Sequence, residues 1–366
     1  MASFSLKPLR AQSGELLHLD LMRFIAASGI VFHHSKEFFF RPSQRLAIHR
    51  QMSGLALFVD LFFVISGYVI AYIYENRMKS LADYGKFMQR RIGRLVPLHW
   101  LTLVCSMVLW VILLKAGAPS RLAVYRPECI AMTVALLHGG LSCNGTIFNG
   151  QSWSISAEMA MYLLFPLFVF LGMRRRWFLL PAGFTVLAVI AAVLLTWHAT
   201  LMDAWTLSLR GVVRALPSFI IGVGMWFLRD TLQRIPYARA LLAVAVVSLV
   251  CSMMTAAPVL VVLSLIYVTA VAAIAADLQK KVGRIVTVVA PLGQLTYSIY
   301  MWHEMFILVL MNSLGDKVLH AGAAAMVPLA LLTYGLILAW GYVSFIYLET
   351  PARQWVDSLP PYGRSR

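Results

Sequence analysis

The stretch LHLDLMRFIAASGIVFHHS, residues 17–35, decides how the rest of the chain is read. It is apolar and long enough to cross a bilayer as a helix, yet it carries Asp20, Arg23, His33 and His34. Ionisable groups inside such a segment are costly, so function is the default reason for their presence. Arg23 and His34 lie eleven positions apart. Eleven helical steps come within about 20° of whole turns, so both side chains share one helix face, about 16 Å apart along the axis. A base near one end of a membrane helix and a fixed cation towards the other suit an enzyme that joins a charged donor to an acceptor across a bilayer.

Working outward, the 366-residue chain is 60% hydrophobic and 13% charged, with a mean hydropathy of +0.78. Apolar runs of membrane-crossing length fall near residues 17–35, 55–75, 96–116, 153–173, 177–197, 211–228, 238–255, 258–276, 289–311 and 323–348. The expectation is an all-α, polytopic membrane protein of about ten helices, with both termini on one side. The apolar stretch 128–142 is short and interrupted by His138, Gly139 and Gly140, so it reads as a helix that does not cross. With that choice, 20 of the 31 Lys and Arg residues fall in loops and tails on one side. That side is cytoplasmic by the positive-inside rule, and 117–152 becomes one long outer loop.

A net charge of +16 would suggest nucleic acid in a soluble protein. Here it reports topology and attraction to anionic lipid, and no nucleic-acid motif accompanies it. The first run carries Asp20 and Arg23 and no small-residue cleavage site follows, so it reads as a retained span. Cys105 and Cys251 lie within apolar runs and read as small fillers. Cys129 and Cys143 share the outer loop, where a disulfide is an expectation. No metal-ligand spacing, internal repeat or linker is present, and residues 1–366 read as a single membrane domain.

Direction through the bilayer groups several polar residues in its outer half: His34, Asp60 and Glu158, with His303 and Glu304 from the ninth run. Tyr297, Tyr300 and Glu304 form one helical stripe, and the same spacing joins Glu158 to Tyr162. Asp60 has two readings. It holds the His34 imidazole in the proton-accepting tautomer, or it caps its own helix. Asp20 and Arg23 read equally as a structural ion pair or a ligand clamp. On the inner side, Arg90, Arg91 and Arg94 precede the third run and suit a pyrophosphate or phosphate, although positive-inside anchoring alone explains such clusters.

Six blocks in order, LDLMRFIAASGIVFHH (19–34), VDLFFVISGYVI (59–70), RRIGRLVPLHW (90–100), WSISAEMAMYLLFP (153–166), LGQLTYSIYMWH (292–303) and YLETPA (347–352), resemble the acyltransferase 3 family of integral-membrane O-acyltransferases. The resemblance implies transfer of an acyl group, usually acetyl from cytoplasmic acetyl-CoA, to a hydroxyl of a surface glycan or lipid-linked saccharide. It implies a multi-pass protein of the inner (plasma) membrane. Arg23 and His34 match the family's Arg-x10-His element, and Arg91 and Arg94 its Arg-x-x-Arg element. His34 would be the base, Asp60 its orienter, Arg23 a donor or transition-state contact, and Arg91 and Arg94, with Arg90, the CoA phosphate site. Ser66, Glu158, Tyr297 and His303 are supporting candidates.

Two departures stand out. The chain reads as a membrane domain without the serine-esterase-like C-terminal domain that some relatives append, and Met159 stands where many carry a second acid beside Glu158. No G-x-S-x-G element supports an acyl-enzyme. The competing class is an ion-coupled transporter of a small solute, for which ten spans with buried charges also serve but repeated halves are expected.

Overall fold

The computed structural model describes residues 9, 16–40, 42–115, 126–142, 148–197 and 200–360. Each of the ten apolar runs contains a helix, and among the described residues no strand occurs. The helices are α1 Leu17–Ser35, α2 Phe58–Tyr74, α3 Leu81–Lys115, α4 Trp153–Arg174 and α5 Leu179–Trp197. They continue as α6 Gly211–Phe227, α7 Ala238–Met254, α8 Val259–Leu278, α9 Arg284–Val318 and α10 Ala323–Ser358. Seven segments are long and apolar enough to cross a membrane, counted among the described residues. The other three differ for physical reasons. α6 and α7 are apolar but only 17 residues long. α1 has the length, but Asp20, Arg23 and three histidines dilute its apolarity.

α2 is the centre of the bundle, with all but four of its 17 residues buried. It lies against α6 at two glycines. A Cβ on Gly67 would stand 2.3 Å from the Phe219 carbonyl oxygen, and one on Gly222 would stand 2.1 Å from that of Val64. The backbones therefore touch, as small residues permit in membrane helix pairs. α1 is fastened at its start by α8. The Asp277 carboxylate accepts from the backbone N–H groups of His18 and Leu19, at 2.8 and 3.1 Å, and pairs with His18 Nδ1 at 2.7 Å. Those are orphan donors of a first helical turn, so the buried carboxylate acts as a cap supplied from another helix.

α3 runs through 35 residues, about 52 Å, so its first half with Arg90, Arg91 and Arg94 extends the spanning half as one rod. The stretch 128–142 forms a short helix, Pro127–Val134, of 8 residues. It is docked on α3: His99 Nε2 donates to Thr133 O and Trp100 Nε1 to Val134 O, both at 2.9 Å. Cys129 is buried there, and its expected partner Cys143 lies outside the described residues. Cys105 and Cys251 are free thiols within helices α3 and α7, the first half-buried and the second exposed.

α9 and α10 are not uniform. α9 tightens to a 3-10 turn at Ala290–Leu295 and loosens to a π-helix over Ile307–Val318, and α10 carries a π-helical turn at Phe345–Glu349. Such irregular turns re-aim side chains, and both helices line the cavities described next.

Candidate active site

Two cavities open along α1. The one on the Arg23 side encloses about 440 Å³. Its charged wall consists of Arg23, Arg94 and Arg353 interleaved with Asp20, Glu158 and Glu349. Each acid is tied down. Asp20 pairs with Arg23 at 3.0 Å. Glu158 accepts from Ser66 Oγ at 2.7 Å and from the Tyr162 hydroxyl. Glu349, delivered by the π-helical turn, is buried and accepts from Ser298 Oγ at 2.9 Å. Tyr297 adds wall area and donates its hydroxyl to the Leu95 carbonyl on α3.

The His34-side cavity encloses about 520 Å³. His34 is exposed into it, and His33, Lys36, Glu37, His49, Arg214 and Glu304 share the wall. Lys36 Nζ donates to the His33 carbonyl at 2.8 Å and to His33 Nδ1 at 3.1 Å, and Glu37 pairs with His49 at 2.8 Å. Burial lowers the Lys36 ammonium to about 8. Val59 and Tyr300 belong to the walls of both cavities. The two ends of the Arg23-to-His34 stripe thus face separate spaces with a common partition. Tyr300 is fixed in that partition: Ser154 Oγ donates to its hydroxyl at 2.8 Å, and the hydroxyl donates to Gln151 O at 3.0 Å.

Not every expected contact forms. Asp60 does not bond His34. It is fully buried, and its oxygens accept from Arg214 at 2.6 and 3.1 Å and from Trp205 Nε1 at 3.1 Å. Arg214 also donates to Ala56 O at 2.8 Å and lies 5.0 Å from the Trp153 ring centroid. An arginine on a helix distant in sequence satisfies Asp60 more fully than a neutral imidazole can.

The three arginines of the third run also separate. Arg94 lines the Arg23-side cavity, and Arg90 is exposed elsewhere on α3. Arg91 is buried in an aromatic box, its guanidinium 5.4 to 5.8 Å from the rings of Tyr74, Phe87 and Tyr162. Of the supporting candidates, Ser66 and Glu158 come together, Tyr297 lines the same cavity, and His303 stands behind His34 with ring centroids 5.1 Å apart.

Sequence reasoning missed Arg214, Glu349, Arg353 and Lys36. Arg214 carried a usable signal, an ionisable residue inside an apolar run. Glu349 lies within the YLETPA block and Arg353 directly after it. Lys36 follows two positions after His34.

Comparison with known proteins adds to this geometry. The chain is 28% identical over 309 residues to acyltransferase MdmB of Streptomyces mycarofaciens, covering 78% of this chain and 76% of the relative. It is 26% identical over 307 residues to the exopolysaccharide production protein ExoZ of Rhizobium meliloti, covering 80% and 88%. O-acetyltransferase OatA of Staphylococcus aureus is 30% identical over 167 residues, which are 43% of this chain and 25% of OatA. No solved structure matches the chain. The acyltransferase 3 model, described as an acyltransferase domain, matches residues 16–347, from the start of α1 far into α10. The chain therefore belongs to the acyltransferase 3 family of membrane acyltransferases.

Proposed function

We propose that this protein moves an acetyl group from acyl-CoA, bound in the Arg23-side cavity, to a hydroxyl of a surface glycan or lipid-linked saccharide in the His34-side cavity. The observation that carries this reading is the pair of cavities divided by Val59 and Tyr300, one with three arginines and the other with His34. The names of ExoZ and OatA, exopolysaccharide production protein and O-acetyltransferase, support a polysaccharide acceptor and an acetyl group. The Arg23-side cavity faces the cytoplasm in this reading, because acyl-CoA is a cytoplasmic metabolite and too highly charged to cross a bilayer unaided. The membrane is the inner (plasma) membrane on the same ground.

Phosphates of CoA carry several negative charges, and Arg94 and Arg353 supply charge-assisted donors for them. Arg23 lines the same cavity on the helix that carries His34 and is assigned to the donor. In this reading the pantetheine arm carries the thioester from the Arg23-side cavity past Val59 and Tyr300 to His34. In the transfer, His34 takes the proton of the acceptor hydroxyl as its oxygen attacks the thioester carbonyl. The new C–O bond forms and the C–S bond breaks. The leaving thiolate then recovers the proton from His34, so no net charge is left in the cavity.

The test is ester-linked acetate on the surface polysaccharide of cells expressing wild type or His34→Ala at matched membrane levels. Acetate in wild type that falls to background in the variant is expected. Equal acetate in both overturns His34 as the base, and a wild type without acetate above that of cells lacking the gene overturns the choice of acceptor or acyl group.

A further inference from the structure

Of the buried imidazoles that take no part in the proposed transfer, His303 is the one whose ring lies beside His34. His303 is fully buried, and its Nδ1 lies 2.6 Å from the Tyr300 carbonyl oxygen. A carbonyl only accepts, so Nδ1 carries the proton, and Nε2 of the neutral ring holds a lone pair. That Nε2 is buried and has no hydrogen-bond partner among the described residues. Buried polar atoms without a partner are rare enough to call for a reason.

The ring beside it is His34, with centroids 5.1 Å apart and planes inclined at 46°. Two imidazoles sharing one N–H···N bond of ordinary length have centroids about 5 Å apart, so the separation already suits such a bond. The two rings differ in freedom. His34 is exposed to its cavity and can turn about its side-chain torsions. His303 is held by the Tyr300 carbonyl, and Tyr300 is itself held by Ser154 and Gln151. Asp60, the other candidate to orient His34, is committed to Arg214 and Trp205.

We infer that His303 is a positioning residue that accepts the N–H of His34 at Nε2 and so fixes the tautomer in which the other His34 nitrogen meets the acceptor hydroxyl. The inference rests on His34 being the base. When His34 takes the acceptor's proton, both of its nitrogens carry N–H, and the one facing His303 keeps its bond. His303 neither gains nor loses a proton. A neutral ring thus does for His34 what a carboxylate does in many histidine sites, without placing a second unpaired charge in the protein interior.

The experiment compares His303→Ala, His303→Gln and His303→Asn in the full chain, in membranes at matched protein levels. The readout is release of CoA thiol from acetyl-CoA, with the host's surface polysaccharide as acceptor, resolved into kcat and KM for acetyl-CoA. Gln can place an amide oxygen near the position of Nε2. Asn can keep a donor for the Tyr300 carbonyl and has nothing that reaches Nε2. The Ala and Asn variants are expected to lose about 10- to 100-fold in kcat with KM for acetyl-CoA unchanged, and Gln to restore most of the rate.

Gln no better than Asn, or all three at the wild-type rate, overturns the inference while a dead His34→Ala leaves the proposed function standing. Equal turnover by wild type and His34→Ala removes the base, and this inference falls with it.

Discussion

The two cavities are built from different parts of the sequence. Apart from Phe345, Ile346 and Arg353, every residue lining the Arg23-side cavity comes from the six blocks that carry the family resemblance. On the His34 side, Lys36, Glu37, His49, Arg214 and Glu304 all lie outside those blocks, and the first three come from the segment connecting α1 and α2. Helical walls hold groups in fixed register, whereas connecting segments vary more freely in length and chemistry. In the proposed reaction this division separates a donor site with helical walls from an acceptor site walled in part by the connecting segment. Helix α1 joins them, because Arg23 lines one cavity and His34 the other.

The largest expected effect tests that joint. His34→Ala should lower acyl transfer by about 100- to 10,000-fold, the range for a general base, and leave binding of acetyl-CoA as it was. A parallel loss of acetyl-CoA binding would break the comparison, since it would make the two cavities one site.

Next in size is the buried pair behind the His34 cavity. Asp60→Ala leaves Arg214 buried without its carboxylate, at a cost of about 3–5 kcal/mol. The expected result is a lower melting temperature of the detergent-solubilised protein. Replacing both partners, Asp60→Leu with Arg214→Met, should recover part of the loss, because an apolar pair leaves no buried charge. If Asp60→Ala instead melts like wild type and only its turnover falls, Asp60 acts on the chemistry and not on the fold.

Asp60 also marks the limit of reading this chain by spacing. Periodicity and hydropathy locate all ten helices, because a membrane helix has to satisfy its own backbone hydrogen bonds and present apolar side chains along its length. They also put Glu158 and Tyr162 on one stripe of α4, and the fold adds Ser66 to that pair from α2. Asp60 finds Arg214 across 154 positions of sequence, and which helix packs beside which is not written in any one helix. Arg91 and Arg94 fail differently. Three residues apart leaves them about 60° apart around α3, enough for one to enter an aromatic box and the other a cavity. The irregular turn at Phe345–Glu349 has no sequence signal of comparable strength, yet it belongs to the segment that brings Glu349 to the site.

That separation of the arginines sets the third prediction, which sharpens the donor half of the comparison. Arg94→Ala should raise KM for acetyl-CoA by about 10-fold, equivalent to the loss of one charge-assisted contact. Arg90→Ala should leave KM unchanged, because Arg90 does not line the cavity. Arg91→Ala should lower the melting temperature with KM unchanged, because its guanidinium packs against three rings. A rise in KM for all three would restore the reading in which the whole cluster holds phosphate.

The smallest effect belongs to the rim of the acceptor half. Arg45 follows the connecting segment's 3-10 turn and makes two bonds to Asp316 in the π-helical part of α9, at 2.6 and 3.3 Å. Both side chains are about a quarter to a third exposed, at 26% and 30%, so water screens the pair. Arg45→Ala should therefore cost at most about 1 kcal/mol of stability. Its more useful readout is kinetic, because the pair ties the segment carrying Lys36, Glu37 and His49 to α9, which carries Glu304. Loosening that tie should raise the apparent KM for the polysaccharide and leave that for acetyl-CoA alone. A change in the acetyl-CoA value instead would mean that the connecting segment reaches the donor, and the division between a helical donor wall and a connecting acceptor wall would no longer hold.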